Sequence, residues 1–304
     1  MKRFVCVLLL LAPPLAAADP TRLSIDFLTR EVPRWQPENH CFSCHNNGDA
    51  ARALLLARSR GFTIPSEALA DTLDWLRRPE LWDETRGNPA FSDKKLARIQ
   101  FTAALAEAVR DGVPARAELL RAAQSLASLQ DADGAWNVDT GGMVGAPATY
   151  GKTLATSIST RALATAAASL YADRIAKANR WMSDAAPANV LDRAAILWAL
   201  PDSAAKHVAP LLAAQNSDGG WGPQPHAPSE PFDTAVVLLA LASAQGPAHN
   251  DAIARGRSFV TKFQLNDGSW PETTRPAGFT SYAERISTAG WAAYALLRTD
   301  PERH

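Results

Sequence analysis

The sequence predicts an all-α chain whose outer and inner helices alternate and close into an α/α toroid. Three observations predict it. Alanine-rich amphipathic runs recur along the 304 residues, and the β-branched alternation of strands is nearly absent. The pattern Q-x-x-D-G-x-W occurs three times, as Gln130 to Trp136, Gln215 to Trp221 and Gln264 to Trp270, each time after an apolar-periodic run. Segments that are apolar on nearly every face alternate with segments that carry Arg, Lys and Glu on one side. The first kind suits helices buried in the middle of a fold, and the second suits helices that face water.

Residues 1–18 read as an export signal. Lys2 and Arg3 form the positive start, Phe4 to Leu11 the apolar core, and Ala16-Ala17-Ala18 a small-residue cleavage site. The apolar run is too short to span a bilayer, and no second hydrophobic stretch follows. A periplasmic or secreted chain, free of integral membrane segments after cleavage near Ala18, is expected. Cys6 lies in the discarded part, so only Cys41 and Cys44 remain and a disulfide framework is excluded. The 31 basic and 31 acidic residues become 29 and 31 once Lys2 and Arg3 are lost, which gives no basic bias toward nucleic acid.

Residues 19–304 read as one domain of about six outer–inner helix pairs, because no linker rich in Gly or Ser divides them. Outer segments are expected at 22–32, 66–78, 115–129, 173–184, 203–214 and 250–263. Inner segments are expected at 49–60, 95–110, 157–171, 189–200, 232–245 and 285–298. Each Q-x-x-D-G-x-W lies between an outer and an inner segment. There Asp-Gly stops the helix, Trp folds back over its end, and the Gln amide satisfies loose backbone groups. The proline-rich stretch from Gly222 to Pro231 reads as a loop within a repeat.

Between the first outer and inner segments lies Cys41-Phe42-Ser43-Cys44-His45, the C-x-x-C-H signature of covalent haem c attachment. Two thiols at this spacing can add across the haem vinyl groups, and the adjacent imidazole can ligate the iron. A zinc site would need two more ligands, and only His40 is local. A thioredoxin-like dithiol would need a βαβ setting. One covalent haem c is therefore the expected cofactor, with Cys41 and Cys44 as thioether donors and His45 as the proximal iron ligand.

In a toroid all outer-to-inner connections emerge on one face, so the motif should share a rim with Trp136, Trp221 and Trp270. It should also lie near the inner-helix starts at Asp192, Asp233 and Ser287. Met143, in the loop after Trp136, is the first choice for a distal ligand and His226 the second, with an open sixth position as the alternative. Met182 ends an outer segment and reads better as packing. His207 and His249 begin outer segments and belong on the far rim, and His40 is too close in sequence to reach across the ring.

The three Q-x-x-D-G-x-W turns resemble the QW motif of squalene–hopene and oxidosqualene cyclases. The alternating helices are similar to the prenyltransferase/squalene-oxidase repeats of the terpenoid-cyclase/protein-prenyltransferase toroid. The resemblance is strong from about Ala115 to Leu297 and weak before it. It implies a scaffold more than a chemistry. Those cyclases protonate an alkene with the middle Asp of D-x-D-D-T-A, and the matching segment here is Glu230-Pro231-Phe232-Asp233-Thr234-Ala235. Phe232 stands where that donor would be, so cyclisation by the usual route is disfavoured. The zinc of the protein prenyltransferases needs a cysteine on the repeats, and none follows Cys44.

Asp233 and Asp192 remain candidate acids, although a helix N-cap is the commoner role for such residues. Tyr150, Tyr282 and the Glu284-Arg285 pair are weaker candidates for the cavity rim. The expectation is an exported haem c protein on a cyclase-like toroid. It would act in electron transfer or redox chemistry on a bound ligand, with a redox partner protein or a small apolar ligand. The alternatives are a divergent terpenoid-binding enzyme using Asp233 or Asp192, and a binding module stapled by the haem.

Overall fold

Twelve α-helices among the described residues alternate outside and inside a closed ring. The computed structural model describes residues 19–84, 93–244, 246, 249–278 and 281–301, and the expected export signal lies outside them. The outer helices are α1 (Pro20–Asn39), α3 (Ala70–Leu76), α5 (Arg116–Ser128), α7 (Ala172–Asp184), α9 (Ala204–Ala213) and α11 (Asn250–Lys262). The inner helices are α2 (Ala51–Ser59), α4 (Lys94–Arg110), α6 (Lys152–Ala167), α8 (Val190–Ala199), α10 (Pro231–Ala244) and α12 (Tyr282–Arg298). Helix α2 packs on α4, α4 on α6, α6 on α8, α8 on α10, α10 on α12, and α12 on α2. Six inner helices thus close a barrel, and no strand occurs among the described residues. No described helix is long and apolar enough to cross a membrane.

The three repeated turns act as staples between neighbouring repeats. The indole N–H groups of Trp136, Trp221 and Trp270 donate to the carbonyls of Leu126, Leu211 and Val260, ten residues back in each case. Gln130, Gln215 and Gln264 each donate to a glycine carbonyl of their own turn, at Gly134, Gly219 and Gly268. Each also reaches the start of another outer helix, at the carbonyl of Arg174, Ala252 or Pro20. The last of these bonds joins the final repeat to the first and closes the ring. Gly268 has a φ of 92°, and a Cβ there would lie 2.1 Å from the Leu23 carbonyl oxygen, so only glycine fits.

Three elements depart from the expected bounds. Helix α1 continues past residue 32 through Pro33 and Pro37, which carries Trp35 toward the motif. Helix α6 begins at Lys152 rather than 157. Its early Thr-rich part reads as loop, but Thr156 and Thr160 return their hydroxyls to carbonyls four residues back and stay in the helix. The first inner segment starts at His45, as a π-helical turn over His45–Ala50 leading into α2.

Candidate functional site

The π turn fastens the C-x-x-C-H motif to three helices. Asn46 donates to the Glu31 carbonyl at 2.8 Å and to the Tyr282 hydroxyl at 3.1 Å. Asn47 donates to the Thr72 hydroxyl at 2.8 Å, and its amide oxygen accepts from the Ser43 N–H at 3.0 Å. Gly290 lets α12 approach closely, since a Cβ there would lie 2.9 Å from the Asp49 carbonyl carbon. Wide turns of this kind recur at functional sites because they re-aim side chains out of helical register.

Cys41 and Cys44 are free, half-buried thiols. The Trp35 indole donates to Cys41 Sγ at 3.4 Å, and Cys44 Sγ lies 3.8 Å from His45 Nε2. On the far side of the ring, His45 Nδ1 is 3.0 Å from Ser287 Oγ, and Ser287 donates its own proton to Asp49 Oδ2 at 2.9 Å. Ser287 Oγ therefore accepts from Nδ1–H, which leaves the lone pair on Nε2, facing the cysteine side. Burial pulls the His45 imidazole down to about 4, so it is neutral at neutral pH. Burial and the Asp49 carboxylate push the Cys44 thiol up, which keeps it protonated. Two stacked pairs flank the motif, Phe42 on Trp75 at 4.5 Å and Trp35 on Tyr282 at 5.3 Å.

Asp49 is the hub beneath. It accepts from Gln100 at 2.8 Å, from Ser287 and, in a short bond, from the Tyr150 hydroxyl. Burial raises both the Asp49 carboxyl and the Tyr150 phenol, so the site favours one shared arrangement of protons. Below the hub the barrel axis is filled by aromatic rings. Trp291 meets Tyr150, Trp198 and Phe232 edge-on at 5.5, 5.8 and 5.6 Å.

A second buried group lies along the same rim. Asp233 is fully buried and paired with Arg275, which also binds Glu230 at 2.9 Å and the Gly145 carbonyl. One guanidinium serves two carboxylates, and burial outweighs its pull, so the Asp233 carboxyl is pushed up to about 8. Asp233 Oδ1 has no hydrogen-bond partner. Glu284 accepts from the Ala148 N–H at 2.9 Å and is pushed up to about 7, again by burial.

The structure sorts the remaining sequence candidates. Asp192 is not an N-cap: Asn189 caps α8 by accepting from the Asp192 N–H, and its side-chain amide donates back to the Asp192 carboxylate. Asp233 likewise caps nothing and stands inside the barrel wall. Tyr150 and Glu284 are buried and bonded rather than solvated, because the loop over 145–150 is drawn across the mouth by Arg275, Glu284 and Asp49. Met143 is 45% exposed at the edge of that loop, and His226 is exposed in the loop after Trp221. Met182 is buried packing, and His40 ends α1 in a left-handed conformation. Asp49, Gln100 and Ser287 form the hub as a set that sequence reasoning missed. Its one signal was the polar run Asn46-Asn47-Gly48-Asp49 at the head of an apolar helix.

No protein-family model matches the chain. A 76-residue stretch is 40% identical to copalyl diphosphate synthase of Streptomyces cyslabdanicus, covering 25% of this chain and 14% of that enzyme. A 68-residue stretch is 37% identical to drimenyl diphosphate synthase of Streptantibioticus cattleyicolor, covering 22% of this chain and 12% of the enzyme. The matched stretches thus span well under a fifth of those relatives. Among solved structures, type II terpene cyclase MstE from Scytonema superposes with a TM-score of 0.60 at 13% identity, over 93% of this chain and 99% of that one. The fold is the α/α toroid of the type II terpene cyclases. A glycosidase variant superposes with a TM-score of 0.62 at 13% identity, over 92% of this chain and 96% of that one. One scaffold thus accompanies unrelated chemistries, and function must be argued from the site.

Proposed function

We propose that this toroid is an exported c-type haem protein, working in electron transfer or in redox chemistry on a ligand at the barrel mouth. The observation that supports this reading is the orientation of His45. Its Nδ1–H is committed to Ser287, which is itself bound to Asp49, and this leaves Nε2 unprotonated on the side of the Cys44 thiol. Metal-bound imidazoles are held by this kind of outer hydrogen bond, which sets the tautomer and raises ligand basicity.

Cys41 and Cys44 would hold the macrocycle by thioether bonds, each thiol adding its S–H across one vinyl group. When bound, the haem supplies a one-electron iron couple whose potential follows the axial ligands and the burial of the site. The chain's own residues do the rest. Ser287 and Asp49 fix the His45 ring, and the Phe42–Trp75 and Trp35–Tyr282 stacks give the motif apolar walls. Met143 is our first choice for the sixth ligand and His226 the second.

The test is an alkaline pyridine haemochrome spectrum of chain produced with haem-maturation factors. One covalent haem per chain is expected, lost in Cys41→Ala and Cys44→Ala. Wild-type chain with no covalent haem would overturn the reading.

A second reading, a divergent isoprenoid enzyme using Asp233 as an acid, draws on the local likeness to diphosphate synthases and on the raised proton affinity of Asp233. Of the two readings it is this one that the likeness to terpene cyclases supports, and no comparison bears on the haem. It would prevail if Asp233→Asn abolished a turnover that Cys41→Ala left intact.

A further inference from the structure

Beyond the Asp49 hub, toward the end of the barrel away from the motif, the inner helices bring together Arg52, Arg110, Arg161 and Arg298 near Glu107. Arg298 and Arg110 both bind Glu107, and the Tyr294 hydroxyl donates to it at 2.9 Å. Glu107 Oε2 accepts from Tyr294, Arg298 and Arg110, and Oε1 from Arg298. Arg161 donates to the Trp198 carbonyl at 3.0 Å and lies over the Trp198 ring at 4.6 Å, with no ion pair among the described residues.

Arg52 is the decisive residue. It is 3% exposed, and its Nε and one terminal nitrogen have no hydrogen-bond partner. Its guanidinium is sandwiched between the Trp291 and Tyr294 rings, at 4.3 and 4.6 Å. The acidic groups that face it are Asp49 and Glu107. Asp49 is committed to Tyr150, Gln100 and Ser287, and Glu107 to Arg298, Arg110 and Tyr294. The negative ends of the inner helices explain arginines at this rim in general. They do not explain Arg52, which donates to no helix-end carbonyl. The carboxylates of Asp49 and Glu107 and the two rings hold its charge, but two buried N–H donors remain unmade, which is costly unless something completes them.

A recess lined by Arg52, Glu107, Arg110, Arg161, Trp198 and Tyr294 holds about 20 Å³ of space open to water-sized groups. That is room for one water or for one oxygen of an anionic head group, whose remaining atoms would lie in the groove beyond. Through Arg110, Arg161 and Thr165 it continues into a surface groove of about 440 Å³, where Asn179 presents an unpartnered, buried amide oxygen. Burial, together with Arg110, Arg298 and Arg52, brings the Arg161 guanidinium down to about 10, as expected where positive charge exceeds its counter-charge.

We propose that the recess and the groove beyond it form an oxyanion site that takes the phosphate or carboxylate head of a small ligand, one oxygen reaching toward Arg52 at the recess floor and the rest held by Arg110 and Arg161 at its mouth. Guanidinium groups suit both head groups through paired N–H donors, and the adjoining groove accepts the body of the ligand. The assignment does not depend on the haem reading.

The test is thermal unfolding of the purified full chain at constant ionic strength, with sodium chloride replaced stepwise by phosphate in one arm and by acetate in another. A saturable rise in melting temperature with one of the two oxyanions is expected, and the responding arm names the head group. Arg161→Gln should weaken that response at least about tenfold in apparent dissociation constant, the scale of one lost charged hydrogen bond. Arg52→Met should remove the response. If Arg52→Met does not fold, Arg110→Gln joins Arg161→Gln in carrying the test. No saturable shift in either arm, or the same shift in the variants, would overturn the proposal.

Discussion

His45 Nδ1 and Ser287 Oγ lie 3.0 Å apart although 242 residues separate them in sequence. This contact joins the first repeat of the ring to the last, and Ser287 passes it on to Asp49. If the chain carries the proposed haem, Ser287→Ala should leave thioether formation intact, because the Ser287 hydroxyl bonds the imidazole and Asp49 rather than a thiol. The freed imidazole should then leave the iron more readily. In an acid titration followed by visible spectroscopy, loss of the His-ligated spectrum should begin at higher pH in the variant than in wild type. Coincident titrations would show that the contact does not position the ligand.

The staple glycines give a graded prediction. A Cβ would lie 2.1 Å from a backbone oxygen at Gly268, 2.6 Å at Gly219 and 2.8 Å at Gly134, and all three have positive φ. Alanine at each should cost more than about 1 kcal/mol, because the new residue fits neither the backbone angle nor the space. Urea unfolding should rank Gly268→Ala as the most damaging, since that turn closes the ring on Leu23.

Asp233 should make stability depend on pH. Its folded carboxyl is raised from the ordinary carboxylate range to about 8, so the folded state holds a proton that the unfolded state has released. That contribution is full below about pH 4 and is lost as pH rises toward 8. Relative to Asp233→Asn, wild type should lose on the order of 1–3 kcal/mol between pH 5 and 8. Paired chemical denaturation curves at the two pH values would measure it, and a constant difference would refute it.

Trp291 is fully buried and holds the barrel axis shut against Tyr150, Trp198 and Phe232. Trp291→Ala should destabilise the chain by about 3–5 kcal/mol. It should also create an apolar void able to take up a small hydrophobic probe such as benzene. Denaturant unfolding reads the first effect and ligand-induced thermal stabilisation the second.

The helix pairs were legible in the sequence because periodicity and the Asp-Gly-Trp turns are local signals. Each of the twelve expected segments overlaps a helical segment of the structure. The C-x-x-C-H motif was equally plain, and so was the rim it occupies. The roles of Asp192 and Asp233 were not legible. Both stand third in an inner helix behind similar patterns, yet one is a half-exposed capping partner and the other a buried acid. The difference comes from Arg275 and the 145–150 loop, which arrive from elsewhere in the chain.

The amino-acid sequence by itself determined the fold class, the alternation of outer and inner helices, and the position of two thiols and an imidazole at the first turn. These follow from spacings within a few residues, where helix geometry and turn chemistry act directly. Only the tertiary structure decided that Asp49 is a hub, that Trp291 plugs the axis, and that two buried Arg52 donors lack partners. Burial and hydrogen-bond satisfaction depend on which distant side chains the closed ring brings together, and no local pattern encodes them.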